Sequence, residues 1–244
     1  MKRVGLIGCG AIGTVLAEAI ERKIVVCDEL VIFDVNAGKA EKLKEALEFS
    51  VKIVPNIEEL LLSKPSIVVE AASQQAVREY YYQILAANID FIVMSTGALL
   101  DLNTNTPKLH FPSGAIGGLD AISPAALAGI DQVTLTTRKP PNALGKTNSQ
   151  EETVYEGYAE EAARHFPREM NVAATLALTV KPAKVKVQVV SDPTVKRNTH
   201  EIQVKWRYGE MTMRFANDPH PDNPHTSALA AWSAINLLRS QLEK

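Results

Sequence analysis

The chain has little cysteine, no block of one charge and no long apolar run, and each lack removes a class of protein. Cys9 and Cys27 are the only cysteines in 244 residues. They show neither a CxxC pair nor metal-ligand spacing, so a disulfide framework or a metal centre is not expected. Both are expected to be buried, reduced and structural. With 26 Lys and Arg against 28 Asp and Glu, interspersed along the chain, no surface is set up for nucleic acid or an anionic membrane. The apolar stretch after Met1-Lys2-Arg3 is broken by Gly8 and Gly10 and soon meets Glu18, Glu21, Arg22 and Lys23. That suits neither a signal peptide nor a membrane span, and a cytoplasmic protein is the expectation.

What the sequence does contain is a regular alternation of strand and helix patterns. Val4 to Ile7, Glu29 to Val35, Val51 to Val54, Ser66 to Ala71 and Asp90 to Met94 read as strands, separated by helices over Ala11 to Arg22, Ala37 to Glu48, Ile57 to Ser63 and Gln75 to Ala87. Such alternation specifies a doubly wound parallel sheet, so residues 1–110 are expected to form a Rossmann domain within an α/β protein. Beyond it the pattern changes. A helix over Leu119 to Leu127 precedes strands that alternate apolar and polar residues at Gln132 to Arg138, Ala183 to Val190, His200 to Tyr208 and Glu210 to Ala216, the last two joined as a hairpin at Tyr208-Gly209-Glu210. These predict a smaller α/β domain over 111–225 with a mixed or antiparallel sheet covered on one face. Pro140 to Glu152 reads as a mobile loop, and 226–244 as a closing helix with Leu229, Trp232, Ile235, Leu238 and Leu242 near one face.

Gly8-Cys9-Gly10-Ala11-Ile12-Gly13 is a GxGxxG pattern placed directly after a strand and opening a helix. In that context Gly8 permits the tight turn, Gly10 lets backbone approach a pyrophosphate and Gly13 lets the helix close on the strand. Ala11 and Ile12 begin the helix whose free N–H groups would face the phosphates. Asp34, at the end of the second strand, can accept from both ribose hydroxyls and repels a 2′-phosphate, which favours NAD over NADP. Ala71, Ala72, Ser95 and Thr96 close the fourth and fifth strands, where small and polar residues face a bound dinucleotide.

Taken together, the glycine loop, Glu70-Ala71-Ala72-Ser73-Gln74-Gln75-Ala76-Val77, Ser95-Thr96-Gly97-Ala98, Ser113-Gly114-Ala115-Ile116-Gly117-Gly118-Leu119-Asp120-Ala121, Thr137-Arg138-Lys139-Pro140, Asn171-Val172-Ala173-Ala174-Thr175 and Asn223-Pro224-His225-Thr226-Ser227 resemble the L-aspartate dehydrogenase family, in order and over essentially the whole chain. The resemblance implies a homodimer that oxidises L-aspartate with NAD or NADP. The product, iminoaspartate, hydrolyses to oxaloacetate and ammonia or feeds NAD biosynthesis. It further implies cofactor contacts from Ala115 and Asn171, a catalytic role for His200, and a second-domain sheet that helps form the dimer. His225 departs from the lysine expected in the family's NPKTS pattern, which puts that position's role in doubt.

Oxidising an amine requires a neutral nitrogen and, after hydride loss, a water to attack the imine carbon, work suited to a histidine. His110 and His165 have no neighbouring catalytic signal; His220 and His225, in a proline-rich link, are runners-up to His200. The two carboxylates of aspartate call for donors, and Arg138, Lys139, His225, Thr226 and Ser227 are the candidates. Another two-domain enzyme of homoserine dehydrogenase or dihydrodipicolinate reductase type, or an NAD-sensing protein without catalysis, are the alternatives.

Overall fold

A computed structural model describes residues 1–166, 170–220 and 223–244, with backbone alone at 219–220 and 223–226. The chain divides into two compact units, Met1–Pro112 with Ala231–Lys244, and Ser113–Ala230.

In the first unit, β1 (Arg3–Ile7), β2 (Glu29–Phe33), β3 (Val51–Ile53), β4 (Ile67–Glu70), β5 (Asp90–Val93) and β6 (Leu109–His110) form a sheet in the order β3-β2-β1-β4-β5-β6. Every pairing in it is parallel. The crossovers are α1 (Ala11–Glu21), α2 (Ala37–Glu45), α3 (Ile57–Leu62) and α4 (Gln74–Ala86). Leu30 to Phe33 and Ile67 to Glu70 are buried without alternation, as expected of strands in a parallel sheet covered on both faces. Strand order reverses between β1 and β4, which opens a crevice at the carboxyl ends of those two strands. The two-residue β6 is too short to leave a periodic signal. The C-terminal helix joins this core: its Ala234, Ile235, Leu238 and Leu242 are buried with Val4, Leu6, Leu16 and Ile20.

The second unit carries β7 (Ile130–Lys139), β8 (Glu152–Tyr158), β9 (Val185–Ser191), β10 (Asn198–Trp206) and β11 (Gly209–Asn217) in the order β11-β10-β7-β9-β8. β7 and β9 are parallel and the other pairs antiparallel, so the sheet is mixed. Its helices are α5 (Leu119–Ala128), α6 (Ala159–His165) and α7 (Asn171–Thr179). Val133, Leu135, Val187, Val189, Ile202 and Val204 are buried, while Thr134, Gln203 and Lys205 between them are accessible, so alternation marks one covered face. The hairpin turn falls at Arg207–Tyr208, with Gly209 already paired to Trp206.

β8, α6 and α7 left no usable pattern in the sequence. The helices AEEAARH and NVAATLALT are short and alanine-rich, so their two faces differ little in polarity. The segment expected to be a loose loop is anchored: Ser191 Oγ donates to Asn148 Oδ1 at 2.6 Å, and Lys146 pairs with Glu152 at 2.5 Å. Beyond β11 the backbone pairs β12 (Pro219–His220) with β13 (Asn223–Ser227), and α8 (Ala228–Leu242) follows. Among the described residues no helix is long and apolar enough to cross a membrane.

Candidate active site

The glycine loop leaves β1 with three glycines required for three different reasons. Gly8 has φ +99°, and a Cβ there would lie 2.7 Å from the Ala71 carbonyl oxygen, so only glycine suits both the backbone and the space. A Cβ on Gly13 would run into the carbonyl oxygen of Gly8, which shows how closely α1 sits on the loop. At Gly10, by contrast, a Cβ would meet nothing within 4 Å. The constraint there is open space of the kind a ligand fills. Gly10 is also the N-cap of α1, and that N-terminus has no capping side chain and no acidic residue in its first turn. Ala11 and Ile12 therefore begin a helix whose amide end is suited to phosphate oxygens.

Asp34 follows β2 and is half-buried. Its Oδ2 accepts from Cys9 N and its Oδ1 from Asn36 N, both at 2.8 Å, so this carboxylate braces the glycine loop from the end of β2. Cys9 is buried and its thiol is pushed up to about 12, first by burial and then by the Asp34 charge; it is an inert packing group. Cys27 is also free but only half-buried, short of the full burial expected of it. Ala71 is half-buried and Ala72 exposed at the end of β4, whereas Ser95 and Thr96 are buried after β5.

Between these two loop ends lies a residue that the motif reading passed over. Glu70 is fully buried. Its Oε1 accepts from Ala72 N and Ser95 Oγ, both at 2.8 Å, and its Oε2 from Ser95 N at 3.0 Å. An acid closing an otherwise apolar strand, Ile67-Val68-Val69-Glu70, was the available signal.

In the second unit, His200 is buried on β10 and cross-paired with Thr137 on β7. Thr137 Oγ1 lies 3.0 Å from His200 Nδ1, a neighbour the sequence did not single out. Lys139, two residues on and also buried, is on the same strand face as Thr137. Burial first, and then the Lys139 charge, lower the His200 pKa to about 4, so the imidazole is neutral at ordinary pH. Arg138 alternates to the opposite face and is engaged by Glu151 at 2.6 Å and Asp192 at 3.4 Å. The strand thus brings Lys139 to the side of His200 and takes Arg138 away from it.

Ala115 is buried in the loop before α5, where its carbonyl accepts from Asn217 Nδ2 at 2.9 Å, and Asn171 is the first residue of α7. Both belong to the second unit. Ser227 is buried and its Oγ accepts from Leu229 N at 3.2 Å, which caps α8. The side chains of His220, His225 and Thr226 lie outside the described residues. His110 is held by Asp90 at 2.8 Å and His165 Nδ1 lies 2.9 Å from the Glu161 carbonyl oxygen, both local structural contacts. Among the described residues no group of three or more His, Cys, Asp or Glu could hold a metal ion.

The low pKa of His200 makes folding sensitive to acid. An unfolded chain protonates this imidazole near 6.5, whereas the folded chain resists until about 4. Stability from the buried neutral ring is complete above the first value and is lost as pH falls to the second, roughly 3 kcal/mol in all. Urea unfolding of the wild type and of His200→Gln between pH 4 and 7 should show the wild type losing more; parallel pH dependences would contradict the assignment.

A family model for the C-terminal domain of aspartate dehydrogenase matches residues 120–241, and one for the NAD-binding domain of homoserine dehydrogenase matches residues 8–110. L-Aspartate dehydrogenase of Archaeoglobus fulgidus is 42% identical, over 98% of this chain and 98% of that protein. The enzyme of the same name from Methanosarcina barkeri is 41% identical over 99% and 97%. Among solved structures, aspartate dehydrogenase from Thermotoga maritima aligns with a TM-score of 0.80 at 32% identity, covering 99% of this chain and 97% of that one. Full-length identity of this order, with the glycine loop and the His200 strand each inside a matched region, shows that the chain belongs to the L-aspartate dehydrogenase family.

Proposed function

We propose that this protein is an NAD-dependent L-aspartate dehydrogenase with His200 as its catalytic residue. The observation that carries this reading is that a buried, neutral His200 on β10 and a buried Lys139 on the neighbouring β7 share one face of the sheet. A cationic lysine attracts a substrate carboxylate, and an uncharged imidazole beside it is free to take a proton. A substrate bearing two carboxylates also offsets the Lys139 charge, and so raises the histidine toward the range where it is an effective base.

The dinucleotide is assigned to Gly8, Gly10, Ala11, Ile12 and Gly13 for the pyrophosphate and Asp34 for the ribose. Ala71, Ala72, Ser95 and Thr96 lie at the strand ends, and the family resemblance adds Ala115 and Asn171. The open space at Gly10 and the uncapped start of α1 fit such a ligand. When bound, the nicotinamide would supply the hydride acceptor for the substrate Cα. Loss of that hydride and one proton converts L-aspartate to iminoaspartate. Water, deprotonated by His200, adds to the imine carbon; ammonia leaves and oxaloacetate remains. We further infer, in line with the family resemblance, that iminoaspartate not hydrolysed feeds NAD biosynthesis and that the second-unit sheet helps form a homodimer. The Asp34 carboxylate favours NAD, since a 2′-phosphate would meet its charge.

L-Aspartate, L-glutamate, L-alanine and L-homoserine should be screened with NAD and with NADP by absorbance of the reduced cofactor. The expected result is turnover of L-aspartate with NAD, rising toward alkaline pH as more of the amine becomes neutral. Turnover of homoserine alone, or of no amino acid with either cofactor, would sink the proposal.

A further inference from the structure

Glu70 ends a strand whose other residues are apolar and buried, and it is itself fully buried. A carboxyl there is costly to bury, and among the described residues no opposing charge offsets it. Burial pushes its pKa up, against hydrogen bonds from Ser95, Ala72 and Ser73 that hold it down. An apolar side chain would fill the position more cheaply but would leave those donors without an acceptor. The donors come from two separate loops. Ala72 and Ser73 belong to the turn from β4 into α4, and Ser95 to the turn that follows β5.

We infer that Glu70 is the positioning residue of the nicotinamide half of the cleft, its one carboxyl setting the spacing of the β4 and β5 loops. This rests on reading the carboxyl edge of the first unit as a dinucleotide site. Four helices begin at that edge, and the two beside the switch between β1 and β4, α1 and α4, differ. The start of α1 is uncapped, whereas α4 is closed by Ser73, whose Oγ accepts from Ala76 N at 3.1 Å. Backbone N–H groups of the β4 and β5 loops are turned onto Glu70. The anionic pyrophosphate is therefore left to the glycine loop, and the edge set by Glu70 takes the part of the ligand beyond it. A second contact binds the same two loops: the buried Gln74 fills the space that a Cβ on Gly97 would need. The Glu70 carboxyl bonds to neither the glycine loop nor Asp34. Ala71, whose backbone borders Gly8, is held separately through its N–H to the Ile7 carbonyl at 2.8 Å, so disturbing Glu70 should act chiefly on the nicotinamide half.

Isothermal titration of wild type, Glu70→Gln and Glu70→Ala with NADH and with ADP tests this, after circular dichroism has established folding. Glu70→Ala should bind NADH at least about tenfold more weakly while its affinity for ADP stays within about twofold. Glu70→Gln keeps one accepting oxygen, so its NADH affinity should fall between the two. If Glu70→Ala does not fold, the same titrations on Glu70→Gln decide. NADH affinity unchanged in a folded variant overturns the inference, as does a parallel loss of NADH and ADP binding, which marks a merely structural role. Failure of the wild type to bind either ligand overturns the cleft itself, a different result from normal wild-type binding with an indifferent Glu70.

Discussion

Replacing His200 with alanine should lower kcat with L-aspartate by about 10²–10⁴-fold, the range spanned by general acid–base catalysis. NADH binding should survive, because the glycine loop and Asp34 belong to the other unit. The substitution also leaves the buried Thr137 hydroxyl without its imidazole partner. His200→Asn, which offers that hydroxyl a polar group, is therefore the companion variant that separates chemistry from packing. Steady-state kinetics with unfolding curves on both variants check the point. Near-normal kcat in either would move the base away from His200. In the wild type, kcat/KM reports free substrate and free enzyme, so beneath the decline caused by protonation of the amine a further loss should follow the lowered His200 pKa of about 4, with no added break near 6.5.

The second large effect separates two glycines that a motif treats alike. Gly10→Ala should lower stability by no more than about 1 kcal/mol, the cost of an alanine N-cap, since a Cβ there meets nothing within 4 Å. It should nevertheless weaken NADH binding by about tenfold or more by occupying the space proposed for the pyrophosphate. Gly13→Ala should do the opposite first. Its Cβ would overlap the Gly8 carbonyl oxygen, so α1 must shift from the loop and the first unit loses stability, by about 1–3 kcal/mol as for other overpacked positions. Differential scanning calorimetry with and without NADH distinguishes the two. Equal losses of stability in both variants would contradict the geometry.

Much of the first unit was legible because short, continuously apolar strands recur in regular alternation with amphipathic crossover helices, and glycines under steric constraint punctuate them. The second unit was only half legible. β7, β9, β10 and β11 alternate visibly between a covered and an open face, but α6 and α7 are short helices with little contrast between faces. The adjacent residues Arg138 and Lys139 were equally good carboxylate binders on paper. Strand alternation then put Arg138 with Glu151 and Asp192, and Lys139 on the face of His200.

The sequence by itself determined the doubly wound first unit, a second sheet either mixed or antiparallel, the glycine loop between β1 and α1 and the family, because each is written in local patterns or in contiguous blocks. Only the tertiary structure decided which groups share an environment. It gave His200 its Thr137 partner and its buried, lowered pKa, and it gathered donors from two loops onto Glu70. Residues that meet across 25 or 63 positions of chain are brought together by strand pairing and crossovers, and burial, which sets their charge, exists only once the chain has folded around them.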